Sequence, residues 1–136
     1  MNKEEISKIA DELIEKNNIV MMSTLNQEKI PTICAIIKAK AEGIHTFYFS
    51  SNHSSEKVQN ILKNPNGSIY FYDAMEYTGL TLTGKFTILE KDPTIIPEGA
   101  YPEGLPRNDY IIIKFKADKI KLYYSMSKYM LDVKEL

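Results

Sequence analysis

A mainly β protein, a small antiparallel barrel of six to seven strands, is what this 136-residue sequence predicts. Three observations carry that prediction. Seven apolar or alternating runs follow one another, the turns between most of them are short and polar, and only one small helix interrupts the series. Connections this short make neighbouring strands antiparallel, because a parallel return needs a crossover of a dozen or more residues. The length suits one domain, 1–136, with no linker, repeat or low-complexity tract to divide it.

The chain opens with a helix over residues 2–17. Ile6, Ile9, Ala10, Leu13 and Ile14 recur at helical spacing with charged residues between them, and Asn17-Asn18 ends the pattern. Such a stripe must cover something, and a barrel end is the natural partner. Strands are then expected at 19–25, 30–40 and 44–51, separated by polar turns at 26–29 and 41–43. Ser54-Ser55-Glu56-Lys57 leads into Val58, Ile61 and Leu62, a short amphipathic helix with hydroxyl residues to cap it, stopped by Asn64-Pro65-Asn66-Gly67.

Strands resume at 68–73 and 78–89. In the second of these Leu80, Leu82, Phe86 and Ile88 alternate with polar residues, and Gly84 suggests a bend or bulge. Pro93, Pro97, Pro102 and Pro106 exclude a ladder strand from residues 91–108, a long loop suited to a cleft lid or a barrel cover. Two final strands are expected at 109–117 and 119–127, with a short helix from Ser127 onward.

Seventeen basic and 18 acidic residues give a net charge of −1, without the cationic surplus that duplex binding exploits, so no nucleic-acid partner is expected. Only Arg107 is an arginine, so any anion site must use lysine, hydroxyls and backbone N–H groups. No stretch approaches the ~20 apolar residues of a membrane span. The N-terminus lacks a signal-peptide core, and Cys34 has no cysteine to pair with. A soluble cytoplasmic protein with no membrane partner is therefore expected.

Nucleophilic hydrolysis finds no Gly-x-Ser-x-Gly elbow, and neither His45 nor His53 has an evident nucleophile and acid about it. Metal-ligand spacings are missing too, so neither catalytic nor metal residues are assigned. The stretch Phe49-Ser50-Ser51-Asn52-His53-Ser54-Ser55-Glu56-Lys57 reads in two ways. It crowds hydroxyls and a lysine onto a helix start, a natural phosphate seat, and it equally suits a serine-rich loop with a helix cap. Cys34 reads as a small buried hydrophobe more readily than as a nucleophile. Tyr70, Tyr72, Tyr123 and Tyr124 fit either an amphipathic surface or the wall of a flat aromatic ligand.

Met22-Ser23-Thr24-Leu25, Ile30-Pro31-Thr32, the Thr46–Ser51 segment, Ser55-Glu56-Lys57, Asn64-Pro65-Asn66 and the Thr78–Lys85 segment follow one another in a telling order. That order resembles the pyridoxamine-phosphate-oxidase-like split-barrel family, in particular its general-stress-protein branch. The resemblance covers about residues 1–90. It implies a homodimer of split barrels holding FMN in clefts between the subunits. On the matching positions, Thr32, Ile33, Cys34 and Ala35 of the second strand would line the flavin. Phe49, Ser50 and Ser51 at the end of the third strand would border the cofactor, and Ser50 with Ser55, Lys57 and the helix N-terminus would hold its phosphate.

Glu56 stands where the family carries arginine in a Ser-Arg-Lys start, and the second strand has Thr32, Ile33 and Cys34 where many members place another. Gly79 takes the position of a glutamine in the vitamin-synthesising enzymes, whose C-terminal substrate signature is also not recognisable. Pyridoxamine phosphate oxidation is therefore not expected. The leading expectation is an FMN flavoprotein of oxidoreductase type, its partners a small-molecule redox substrate or a reduced nicotinamide donor. The rivals are a non-catalytic flavin- or haem-binding dimer and a cofactor-free stress-related dimer. Aromatics on both faces of so small a barrel favour a partner independently.

Overall fold

The computed structural model describes residues 1–101 and 109–136. Helix α1 (Lys3–Lys16) precedes strands β1 (Ile19–Leu25), β2 (Pro31–Glu42) and β3 (Thr46–Asn52). Helix α2 (Glu56–Lys63) follows, then β4 (Asn66–Asp73), β5 (Thr78–Leu89), β6 (Tyr110–Tyr124) and β7 (Ser127–Asp132). The sheet runs β3-β2-β1-β4-β5-β6-β7, and a further β3–β6 pairing closes the first six strands into a barrel, with β7 as a flank. Every pairing is antiparallel, as the short connections require.

The inward faces meet in an aromatic core. The Phe86 and Phe115 rings lie 4.7 Å apart, Phe47 and Phe71 5.6 Å, and Phe47 and Phe115 6.4 Å. Ile6, Ala10, Leu13 and Ile14 bury the stripe of α1 against this core, as the spacing predicts. An Asn2–Glu5 capping box starts α1: the Glu5 N–H donates to Asn2 Oδ1 at 2.9 Å. At the other end Lys38 Nζ donates to the Ile14 carbonyl, one of the orphaned acceptors of the last turn.

Two sequence expectations are corrected at the C-terminal end. Residues 109–117 and 119–127 are not two strands: β6 runs unbroken through Asp118. The β5–β6 register passes from Thr83↔Lys119 to Gly84↔Ala117, so Asp118 is the extra residue of a β-bulge. The helix expected from Ser127 is instead β7, joined to β6 by a two-residue turn in which Ser125 and Met126 both take positive φ, 49° and 68°. That is the backbone demand of a type I′ hairpin turn, made here without the Asn-Gly that announces one.

The described part of the 91–108 loop is a cover. Ile96 and Tyr101 pack with Tyr48, Tyr110 and Ile112 in a second apolar cluster, and Lys91 lies 5.4 Å from the Tyr101 ring centre. Pro102, Pro106 and Arg107 lie outside the described residues.

Lys16 pairs with Asp73 across the α1 end of the barrel. The bond from Lys16 holds the Asp73 carboxyl below its ordinary 3.8, helped by the N–H groups of Glu76 and Met75. A carboxyl depressed on folding contributes stability above its unfolded pKa and loses it as pH falls through the folded value. The melting-temperature gap between wild type and Asp73→Asn is therefore expected to hold above about pH 5 and to close on acidification below 3.8. A gap that persists unchanged in strong acid would remove Asp73 from the account.

Candidate functional site

The register Met22↔Cys34 and Thr24↔Thr32 sets these four side chains near the first turn of α2. Together with Ile33, Glu56 and Lys57 they line a cleft of about 220 Å³. Helix α2 is held there by a polar residue on its buried face. Asn60 Nδ2 donates to Thr24 Oγ1 at 3.1 Å and reaches Thr32 Oγ1 at 3.5 Å, while the two threonine hydroxyls lie 3.2 Å apart. Buried polar groups satisfied in this way fix one arrangement of the elements that carry them.

Ser55 occupies the N-cap position of α2, but its hydroxyl does not cap the helix. It lies 3.2 Å from Ser51 Oγ instead, which corrects the hydroxyl-cap expectation. The first-turn N–H groups of α2 therefore lack a side-chain cap, and they give the cleft the donors and partial positive charge of a helix start. The preceding loop is tied down separately: Ser54 Oγ donates to Asp109 Oδ2 at 2.8 Å and accepts from Asn52 Nδ2 at 2.9 Å. That bond from Ser54 leads the causes holding the Asp109 carboxyl below its usual range.

Of the sequence-predicted residues, Thr32, Ile33, Cys34 and Lys57 converge on the cleft, and Ser51 and Ser55 meet behind it. Ala35 is exposed on β2 beyond the cleft, and Ser50 sits half-buried on β3 opposite Ile112. The Phe49 ring is fully buried in the core, so only its main chain is available to a ligand. Met22 and Thr24, marked in the sequence only as part of a matching stretch and given no role there, also line the cleft, and Asn60 anchors α2 beside it, its one signal being a polar residue near Val58 and Ile61 on an apolar helix face.

Burial pushes the Cys34 thiol up, with Lys57 pulling it down and Glu56 adding to the rise. A thiol held protonated is a poor nucleophile, which favours the packing reading. Among the described residues, no three His, Cys, Asp or Glu side chains stand together as a metal site. No helix among them is long and apolar enough to cross a membrane.

Beside the cleft the outer face of β2, β1 and β4 is apolar and uncovered. Ile33 is 68% exposed, Ile19 61% and Ile37 57%. Tyr70 and Tyr72 stack alongside on β4, with ring centres 5.9 Å apart and planes inclined by 13°.

A closed six-stranded barrel with a flanking strand and a helix start set against its first two strands defines a split-barrel protein. Residues 6–124 match the family described as pyridoxamine 5'-phosphate oxidase, and this chain belongs to that family. A solved structure described as a protein related to general stress protein 26 of B. subtilis, from Clostridium acetobutylicum, matches with a TM-score of 0.88 and 28% identity. That match covers 98% of this chain and 99% of that one. A heme binding protein from Mycobacterium smegmatis shares the fold at a TM-score of 0.74 and 14% identity, over 93% of this chain and 57% of that one. A pyridoxamine 5'-phosphate oxidase-related, FMN binding protein from Nostoc punctiforme does so at 0.65 and 12%, over 96% and 95%. No curated protein matches the chain in sequence.

Proposed function

We propose that this chain is an FMN-binding flavoprotein of oxidoreductase type that works as a homodimer. One observation carries the reading: strand β2, Lys57 and an uncapped helix start meet in a single cleft. The donor set suits a phosphate, because Lys57 supplies a full positive charge and the α2 amides supply aimed N–H groups without needing arginine. Lys57, Ser55 and those amides would hold the phosphate, with Ser50, Ser51 and the Phe49 main chain behind them. Thr32, Ile33 and Cys34 would line the ring and ribityl chain, with Ala35 exposed beyond them on β2. The FMN binding family member supports the choice of cofactor.

The exposed Ile19, Ile33, Ile37, Tyr70 and Tyr72 form the kind of contiguous apolar patch that marks a protein interface. In the proposed dimer this face meets its copy and closes the cofactor cleft. Bound flavin supplies the redox chemistry, while the chain supplies binding, orientation and electrostatics. A small-molecule substrate and a reduced nicotinamide donor are the proposed partners in turnover.

The test is the visible spectrum of the purified protein, followed by titration with FMN. Lys57→Ala is expected to weaken FMN binding by about tenfold, the loss of one charge-assisted contact. A protein that purifies without flavin and does not bind it at micromolar concentration overturns the reading. Flavin bound without oxidation of any reduced nicotinamide would make the protein a carrier, and a haem spectrum would redirect the assignment. Sedimentation should give twice the chain mass for wild type and the single chain mass for Ile37→Lys.

A further inference from the structure

We infer that Glu56 tempers the charge selectivity of the cleft, weakening its grip on the dianionic phosphate of FMN so that FMN is favoured over a flavin with an uncharged tail by less than Lys57 and the helix start alone would give. This rests on the FMN reading above and goes one step past it, to how strongly the site selects the phosphate tail. Glu56 and Lys57 are successive residues of the first turn of α2, and both line the cleft occupied by Cys34. Among the described residues, neither forms an ion pair. Their opposite charges therefore both act on whatever enters.

An ammonium and a carboxylate nearly cancel as seen from a guest, leaving roughly the half positive charge of a helix start. A phosphate monoester carries about −1.5 to −2 at pH 7. Lys57 alone would match such a group well, but Glu56 repels it and leaves a neutral tail untouched. A carboxylate in the first turn also stabilises the helix itself, so helix stability alone does not establish the role. Only a measurement made at the cleft separates the two effects.

The Cys34 thiol offers such a measurement without a flavin, because it senses Lys57 and Glu56 with opposite sign. In Glu56→Gln the pH midpoint of Cys34 alkylation by iodoacetamide is expected to fall, and in Lys57→Met to rise. FMN and riboflavin share one ring and differ only in the phosphate, so their binding by fluorescence quenching isolates the tail. Glu56→Gln is expected to tighten FMN about fivefold, as one partly screened charge on a dianion implies, and to leave riboflavin within about twofold. Lys57→Met is expected to weaken FMN and spare riboflavin.

Glu56→Gln leaving the ratio of the two affinities unchanged overturns the selectivity alone, since flavin still binds. An unshifted thiol midpoint does the same, because Glu56 then does not face the cleft. If no form of the protein binds either flavin, the FMN reading falls and the selectivity falls with it.

Discussion

Replacing Gly84 by alanine is expected to cost about 2–4 kcal/mol of folding stability, the penalty of forcing extra atoms into a filled site. A Cβ at this position would lie 2.1 Å from the Lys116 carbonyl oxygen and 3.0 Å from the Ala117 Cα. Both atoms are backbone, so no side chain can swing away to make room. They also belong to the stretch of β6 just before the Asp118 bulge, where that strand pairs with β5 on one side and β3 on the other. Parting β5 from β6 there opens the barrel seam. Two other glycines calibrate the effect. At Gly79 the obstacle is the Tyr70 hydroxyl at 2.2 Å, the free end of a partly exposed side chain, so Gly79→Ala should cost less. Nothing lies within 4 Å of a Cβ at Gly99. Gly99→Ala should be neutral or stabilising by a few tenths of a kcal/mol up to about 1, through the unfolded chain. Urea melts of the three variants rank them, and a Gly84→Ala protein as stable as Gly99→Ala would rule out the close approach.

The same bulge explains where sequence reading stops. Strands 19–25 and 78–89 are legible to the residue, because alternation and flanking turns both mark their ends. Asp118 between two apolar runs has the pattern of a turn. In the folded chain it is a residue that β6 absorbs while its inward face changes phase, from Phe115 and Ala117 to Ile120 and Leu122. Nothing local separates those outcomes, since the decision lies with Gly84 on the neighbouring strand. The β6–β7 turn is silent for a different reason: Ser125 and Met126 accept positive φ without the residues that favour it.

The cleft divides in a similar way. Lys57 and its neighbouring serines are marked in the chain because hydroxyls, a lysine and a helix start lie close in sequence, whereas the β2 residues enter only through the family resemblance. Met22, Thr24 and Asn60 receive no role from the sequence, since their place depends on β1–β2 register and on the packing of α2, both long-range events. The hydroxyl of Ser55 belongs to Ser51 rather than to its own helix. Its residue type suits both bonds equally, and only the fold chooses between them.

Phe49 carries the largest difference between a sequence-predicted role and a structural one, and it gives the second large expected effect. Its ring is fully buried, on a strand paired with Lys38 of β2 and Ile113 of β6. Phe49→Ala is expected to lose about 3–5 kcal/mol, the range for emptying an aromatic site in a packed core. Phe49→Leu refills much of that space and should lose less while keeping the barrel closed. Because the ring does not line the cleft, the folded Phe49→Leu protein should bind FMN within about twofold of wild type. Lys57→Ala crosses this pattern: a half-exposed side chain outside the core leaves stability nearly unchanged while flavin affinity drops. Measuring both quantities on both variants separates the residues that build the barrel from those that serve the ligand. A Phe49→Leu protein that melts like wild type yet loses FMN would put the ring at the cleft and contradict its place in the core.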